Sequence, residues 1–296
     1  MRDLARGEIL RILDTARSME RLVKGRGVSR ALERKIVAVL FLEPSTRTRL
    51  SFEAAALRLG ARTVCVAELA SSSVAKGETL LDTVRVVAGY ADCIVMRQGE
   101  TGASKRAADA VDVPVINAGD GAGEHPTQAL LDLYTIRREL GGLDGLSVAM
   151  VGDLKYGRTV HSLSYALLPF KPSFIYCSPA ELALPASVAD DLKARGVPFT
   201  VTDSLALALK ADVVYMTRVQ RERFPDPAVY ERLKGAYVLT RALVQAHHPG
   251  ALILHPLPRV DEIAPDVDEL PSAAYFRQAH NGMYVRMALL KLILGR

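Results

Sequence analysis

The segment Pro44–Arg49, PSTRTR, gathers three hydroxyls and two guanidinium groups where an apolar run ends and an alanine-rich run begins. A helix that starts there exposes unpaired backbone N–H groups and the positive end of its dipole, so it draws anions. Ser45, Thr46 and Thr48 add short donors, and Arg47 adds a forked, permanently charged donor suited to phosphate. An ordinary N-cap accounts for one hydroxyl. Three with an arginine fit a bound phosphoryl group.

Other polar corners follow the same plan. Arg97, in VMRQGE, ends a buried-looking run, and a charge at the carboxyl end of a parallel strand points into the crevice where open α/β sheets bind ligands. In DGAGEHPTQ, Pro126 suits the first turn of a helix, with His125 and Gln128 at its start. GDLKYGRTVHSL places Arg158 where a loop turns into a helix; it meets neither the dinucleotide nor the P-loop fingerprint. MTRVQRER puts Arg218 and Gln220 after the run DVVYM, and LHPLPR fixes backbone carbonyls between Pro256 and Pro258. The loop SSSVAKGETLLDT, with Ser72 and Lys76, reads on its own as a flexible capped loop. Each corner alone is a turn with solvated charges. So many at strand ends point to a shared crevice.

The elements that must position these residues alternate. Apolar runs at 35–43, 61–68, 92–96 and 113–117 predict parallel strands covered on both faces, with helical patterns between most of them. A helix is expected over 127–140, ending at Gly141-Gly142. A second set of strands is expected at 146–152, 173–177, 199–202, 212–216, 236–239 and 251–254, then a last helix from about 272 to 294 that packs back on the first domain. The fold class is therefore α/β: two doubly wound domains, each with a mostly parallel sheet, linked by two inter-domain helices. The expected division is 1–137 plus 277–296 against 138–276.

The 296 residues suffice for two such domains. The N-terminus reads as an amphipathic helix and not a signal peptide, and no apolar run is long enough to span a bilayer. The net charge of +5 suits anionic ligands, but the absence of a dense basic run argues against nucleic acid. Cys65, Cys93 and Cys177 lie in apolar runs and are expected as buried reduced thiols of a cytoplasmic protein; no Cys/His spacing suggests zinc.

Taken together, PSTRTR, S-x-x-x-K-G-E, HPTQ, GDLKYGRTVHSL, MTRVQ-x-ER and HPLPRVDEI resemble the aspartate carbamoyltransferase catalytic chain, in order and over nearly the whole length. The ending YFRQAHNGMYVRMALL looks closer to the carbamoyltransferase domain of animal multifunctional pyrimidine enzymes. The resemblance implies transfer of a carbamoyl group from carbamoyl phosphate to the amino group of L-aspartate, at the entry to pyrimidine synthesis, without metal or organic cofactor. The first domain would bind carbamoyl phosphate and the second aspartate.

By motif, Ser45, Thr46, Arg47, Thr48 and Arg97 would bind the phosphate. Arg47, Thr48 and His125 would face the carbonyl oxygen as the catalytic donors. Gln128 and the backbone of Leu257 and Pro258 would hold the carbamoyl amino group. Arg158, Arg218, Gln220 and Lys76 would bind aspartate, with Ser72 and Lys76 reaching in from the neighbouring subunit of a homotrimer with shared sites. A regulatory chain or a dihydroorotase would be a possible partner. Ornithine carbamoyltransferase shares the fold and the phosphate corner, but usually carries a cysteine in the segment matching 255–259 and needs an acidic group where this chain has Arg218. A non-catalytic ligand sensor on the same fold is the other alternative.

Overall fold

A computed structural model describes residues 1, 3–67, 77–121, 123–221 and 227–295. The chain divides into two compact units, Asp3–Leu131 with His280–Arg296, and Asp132–Ala279. Both crossings fall inside helices, α5 (Pro126–Leu140) and α11 (Tyr275–Leu294). The junctions expected at 137/138 and 276/277 lie a few residues away in the same two helices.

The first unit opens with α1 (Arg6–Lys24), whose Ile9, Ile12, Leu13, Ala16 and Met19 are buried at helical spacing. Then β1 (Ile36–Phe41), α2 (Thr46–Arg58), β2 (Arg62–Val66), α3 (Leu80–Ala88), β3 (Cys93–Gln98), α4 (Ala103–Asp109) and β4 (Val115–Asp120) alternate. The strands form a parallel sheet in the order β2-β1-β3-β4. Val37 to Phe41 are all buried, so both faces of β1 are covered. Each of its larger side chains contributes about 1.5–3 kcal/mol on burial. One face packs Ala38, Leu40, Ile94 and Met96 against Val84 of α3 and Ala103 and Ala107 of α4.

The second unit contains β5 (Ser147–Val151), α6 (Arg158–Leu167), β6 (Ser173–Cys177), α7 (Ala186–Ala194), β7 (Phe199–Thr202), α8 (Leu205–Ala208), β8 (Val213–Met216), α9 (Pro227–Leu233), α10 (Arg241–His247) and β9 (Leu252–Leu254). Its sheet is also parallel, in the order β7-β6-β5-β8-β9. In both sheets the chain starts in the middle, works outward, then returns to the other side of the first strand. The order therefore reverses between β1 and β3 and between β5 and β8. Carboxyl ends of strands flanking such a reversal leave a crevice, the habitual ligand site of open α/β sheets.

The same device pins the other end of both reversals. The carboxylate of Asp92, just before β3, accepts from the Ile36 N–H of β1 at 2.8 Å and from Lys35 Nζ at 2.7 Å. That of Asp212, just before β8, accepts from the N–H of Ser147 of β5 at 2.8 Å and from its hydroxyl at 2.6 Å. These bonds hold both carboxyls below the ordinary range: for Asp92 the Lys35 contact is the larger cause, for Asp212 the Ser147 hydroxyl.

Three expectations need correction. Residues 236–239 form no strand: Leu239 makes only a single bridge to Ile263, and its backbone is satisfied by Glu262 and Ala264. Residues 272–274 are not helical. Ile253 donates to the Ser272 carbonyl and Ala274 donates to Ile253, so this stretch runs along β9 before the helix begins at Tyr275. Cys65 is exposed while Cys93 and Cys177 are buried. Cys65 lies on the edge strand β2, where Arg62 and Val64 are exposed as well.

Candidate functional site

In the first unit the anion corner forms where β1 delivers the chain to α2. Ser45 takes the N-cap position with extended backbone (φ −164°), and its side chain makes no capping hydrogen bond. No acidic residue stands in the first turn. The helix start is thus not closed in the ordinary way by its own cap, which leaves its positive end available to an anion. Thr48 is buried, Ser45 half-buried, and Thr46 and Arg47 are exposed. The Ser51 hydroxyl donates back to the Arg47 and Thr48 carbonyls at 2.6 and 2.9 Å, which bonds the first turn to the next.

Arg97 stands opposite. Its residue pairs with Phe41 across the sheet, and the Leu42 N–H donates to its carbonyl at 2.9 Å. The residue is nine-tenths buried. It faces Glu43 at 3.4 Å, the Ala118 carbonyl at 3.5 Å and His125 Nε2 at 3.5 Å. A guanidinium only donates, so Nε2 is the acceptor in that last contact. His125 and Gln128 are both buried at the start of α5, and the Gln128 N–H donates to the His125 carbonyl at 3.0 Å. Ser45, Thr46, Arg47, Thr48, His125 and Gln128 therefore sit on the loops and helix starts that follow β1 and β4, and Arg97 sits at the carboxyl end of β3.

Asp120 was not singled out in the sequence, yet it shapes this end. Its carboxylate accepts from the Gly102 N–H at 3.0 Å and the Glu124 N–H at 2.9 Å, fixing the turn that leads to His125. Gly121 in that turn has φ +54°, and a Cβ there would lie 2.3 Å from the Gly99 carbonyl oxygen. Only glycine fits.

In the second unit the loops after β5 and β8 are stitched together. Thr217 Oγ1 donates to the Val151 carbonyl at 2.9 Å and accepts from the Asp153 N–H at 3.0 Å. Gly152 has φ +109°, and a Cβ would meet the Thr217 carbonyl oxygen at 2.3 Å. The Asp153 carboxylate accepts from the Tyr156 N–H at 2.9 Å. Burial pushes its pKa up, against the hydrogen bonds it receives from Tyr156, Gln220 and Lys155. Arg158 then opens α6 behind Gly157, which offers no capping side chain. Gln220 Nε2 reaches the Tyr156 carbonyl at 3.2 Å, so the segment carrying Arg218 and Gln220 lies against the loop that leads to Arg158. Arg158, Arg218 and Gln220 are all half-buried, on the segments that follow the two strands flanking this reversal point.

After β9 the chain passes through His255, Leu257 and Pro258. Leu257 has φ +54°, and its bond to Pro258 is cis. A leucine in the left-handed region costs roughly 1–2 kcal/mol and persists only where its surroundings impose it. Here the Leu257 N–H donates to His255 Nδ1 at 2.8 Å, and His255 Nε2 lies 2.6 Å from Glu262 Oε1.

Ser72 and Lys76 lie outside the described residues. Asp153, Thr217, His255 and Glu262 carry structural weight in the site and were given no role from the sequence. For Asp153 a signal existed: an aspartate directly after a buried strand, followed by free loop N–H groups, is an Asx-type turn former. Among the described residues there is no group of three or more His, Cys, Asp or Glu placed to hold a metal ion. Nor is any helix among them long and apolar enough to cross a membrane.

Comparison with known proteins bears on both units. Residues 1–138 match the family described as aspartate/ornithine carbamoyltransferase, carbamoyl-P binding domain. Residues 144–293 match aspartate/ornithine carbamoyltransferase, Asp/Orn binding domain. The chain is 54% identical to the aspartate carbamoyltransferase catalytic subunit of Methanocaldococcus jannaschii, over 99% of this chain and 96% of that protein. A crystal structure of that M. jannaschii catalytic subunit superposes with a TM-score of 0.92, covering 99% of this chain and 96% of the other. Aspartate transcarbamoylase of Trypanosoma cruzi, solved with carbamoyl phosphate and aspartate, gives a TM-score of 0.93 at 39% identity, over 99% of this chain and 94% of that one. The similarity of the C-terminal segment to animal multifunctional enzymes is not supported: archaeal catalytic subunits match over the full chain at 49–54% identity.

Proposed function

The chain belongs to the aspartate/ornithine carbamoyltransferase family, and on that premise we propose that it transfers the carbamoyl group of carbamoyl phosphate to the amino group of L-aspartate, yielding N-carbamoyl-L-aspartate and phosphate. The observation that carries this reading is the placement of donors. In each unit the cationic and hydroxyl groups gather at the carboxyl ends of the strands where the sheet order reverses. This accords with a T. cruzi relative solved with both substrates.

Carbamoyl phosphate and aspartate are both anionic, so bringing them together is opposed by repulsion that fixed cations offset. Ser45, Thr46, Arg47, Thr48 and Arg97 hold the phosphate. Arg158, Arg218 and Gln220, with Lys76, hold the two carboxylates of aspartate. Gln128 and the backbone of Leu257 and Pro258 orient the carbamoyl amino group. The aspartate nitrogen attacks the carbonyl carbon, negative charge grows on the carbonyl oxygen, and donors from Arg47, Thr48 and His125 stabilise it. The C–O bond to phosphate then breaks, and the leaving phosphate, itself a base, takes the amine's proton. Holding both reactants in one geometry supplies a further part of the rate.

We propose that this reaction serves pyrimidine biosynthesis and that the protein acts in the cytoplasm. We further propose a homotrimer in which Ser72 and Lys76 complete the site of the neighbouring subunit. The aspartate specificity rests on Arg218: a cation after β8 suits a carboxylate and repels the ornithine ammonium. The test is initial-rate kinetics of the purified chain with carbamoyl phosphate and either amino acid. Carbamoyl transfer to aspartate alone is expected; citrulline formation from ornithine, or no product from either, overturns the assignment.

A further inference from the structure

His255 lies outside the ligand contacts proposed above, yet it is fully enclosed and both ring nitrogens are engaged. The Leu257 N–H has only a proton to give, so Nδ1 is the acceptor and carries none. The ring proton of the neutral imidazole is then on Nε2, donated to Glu262 Oε1 at 2.6 Å. Glu262 Oε2 in turn accepts from the N–H groups of Val260 and Asp261, each at 3.2 Å. One side-chain pair thus ties down residues on both sides of Leu257 and Pro258.

The pair is anchored in the sheet as well. The His255 N–H donates to Gln278 Oε1 at 2.9 Å, Gln278 Nε2 donates to Asp132 Oδ1 at 2.6 Å, and the hydroxyl of Tyr215, on β8, donates to Asp132 Oδ2 at 3.0 Å. Every member of this chain is buried. Buried networks whose members are all satisfied fix one geometry. Burial also pushes the His255 pKa down, against Glu262 and in concert with Arg259 and Arg218, which keeps the ring neutral and its Nδ1 free to accept.

We propose that His255, oriented by Glu262, is the positioning residue that imposes the left-handed conformation of Leu257 and so aims the Leu257 carbonyl at the carbamoyl amino group. The inference rests on the carbamoyl-transfer reading above and adds to it the group that sets the backbone acceptor. That reading gives His255 no substrate contact. Its contact to the N–H two residues on is the one an asparagine side chain makes in an Asx turn.

That equivalence supplies the test. His255→Ala, in the full chain, is expected to raise the KM for carbamoyl phosphate at least about fivefold, the scale of one lost hydrogen bond. The KM for aspartate changes far less. His255→Asn restores the acceptor and is expected to bring the carbamoyl phosphate KM most of the way back, although the Glu262 contact stays lost. Thermal midpoints of both variants are measured alongside, since a purely structural role would lower stability and move both KM values together. Hydrogen exchange at the Leu257 amide reads the contact without turnover: slow in the wild type and His255→Asn, fast in His255→Ala. A wild type with a protected amide and no carbamoyl transfer would indict the reaction. An active wild type whose Leu257 amide exchanges freely, or an alanine variant with unchanged carbamoyl phosphate KM, overturns the role of His255. So does an asparagine variant that folds but does not rescue.

Discussion

The N–H of Asp153 donates to Thr217 Oγ1 at 3.0 Å, and this single hydroxyl joins the loop after β5 to the loop after β8. The same oxygen donates to the Val151 carbonyl at 2.9 Å. Arg218 follows Thr217 on one of these loops and Arg158 opens the helix that the other leads into, so the bond lies between the segments that carry the proposed aspartate donors.

Thr217→Val keeps the shape and removes the oxygen. It leaves the Asp153 N–H buried without its partner, and a loss of about 1–3 kcal/mol of unfolding free energy is expected. The KM for aspartate should rise while that for carbamoyl phosphate holds. Denaturant unfolding and initial rates check both. A variant as stable as the wild type with an unchanged aspartate KM would show that the loops are set by other contacts.

The carboxylate pins give a pH dependence with a definite sign. The Asp212 carboxyl is held below its ordinary value of 3.8 by Ser147. Its ionised form is thus favoured in the folded state, and the resulting stability is fully present above 3.8 and lost as pH falls through the lower folded value. Asp212→Asn removes this pH-linked part. The stability difference between wild type and variant should be constant above about pH 5 and shrink below 3.8. A difference that grows on acidification would reverse the assignment.

Arg47→Ala is expected to lower kcat by at least about 10²-fold, the usual scale for losing a donor to a developing oxyanion. Unchanged turnover would remove Arg47 from the chemistry. Mixing inactive Arg47→Ala chains with inactive Lys76→Ala chains under subunit exchange should restore part of the activity. Lack of rescue would place each complete set of groups within a single chain.

The proposed ligand groups could be picked out in the sequence because each ends or follows a run that reads as a parallel strand. Ser45–Thr48 and Arg218 stand just after apolar runs, Arg97 stands at the end of one, and Arg158 opens the helix after another; the strands concerned, β1, β8, β3 and β5, flank the two reversals. What the sequence did not disclose is tertiary. Thr217 and Glu262 matter through partners 64 and 7 positions away, and nothing local marks those pairings. The run at 236–239 reads as a strand by its apolar residues, but strand formation also needs an available edge, and only one bridge is made. Cys65 misleads for the converse reason: its run is strand-like, but the strand is an edge. Ser72 and Lys76 fall outside the described residues, so their placement stands as a proposal.

Calorimetric titration with a bisubstrate analogue that joins a phosphonate to aspartate tests most directly whether the donors of both units serve one reaction. Tight binding to the wild type is expected, weakened at least about tenfold by Arg47→Ala and separately by Arg218→Ala. Wild-type affinity retained in either variant would contradict it.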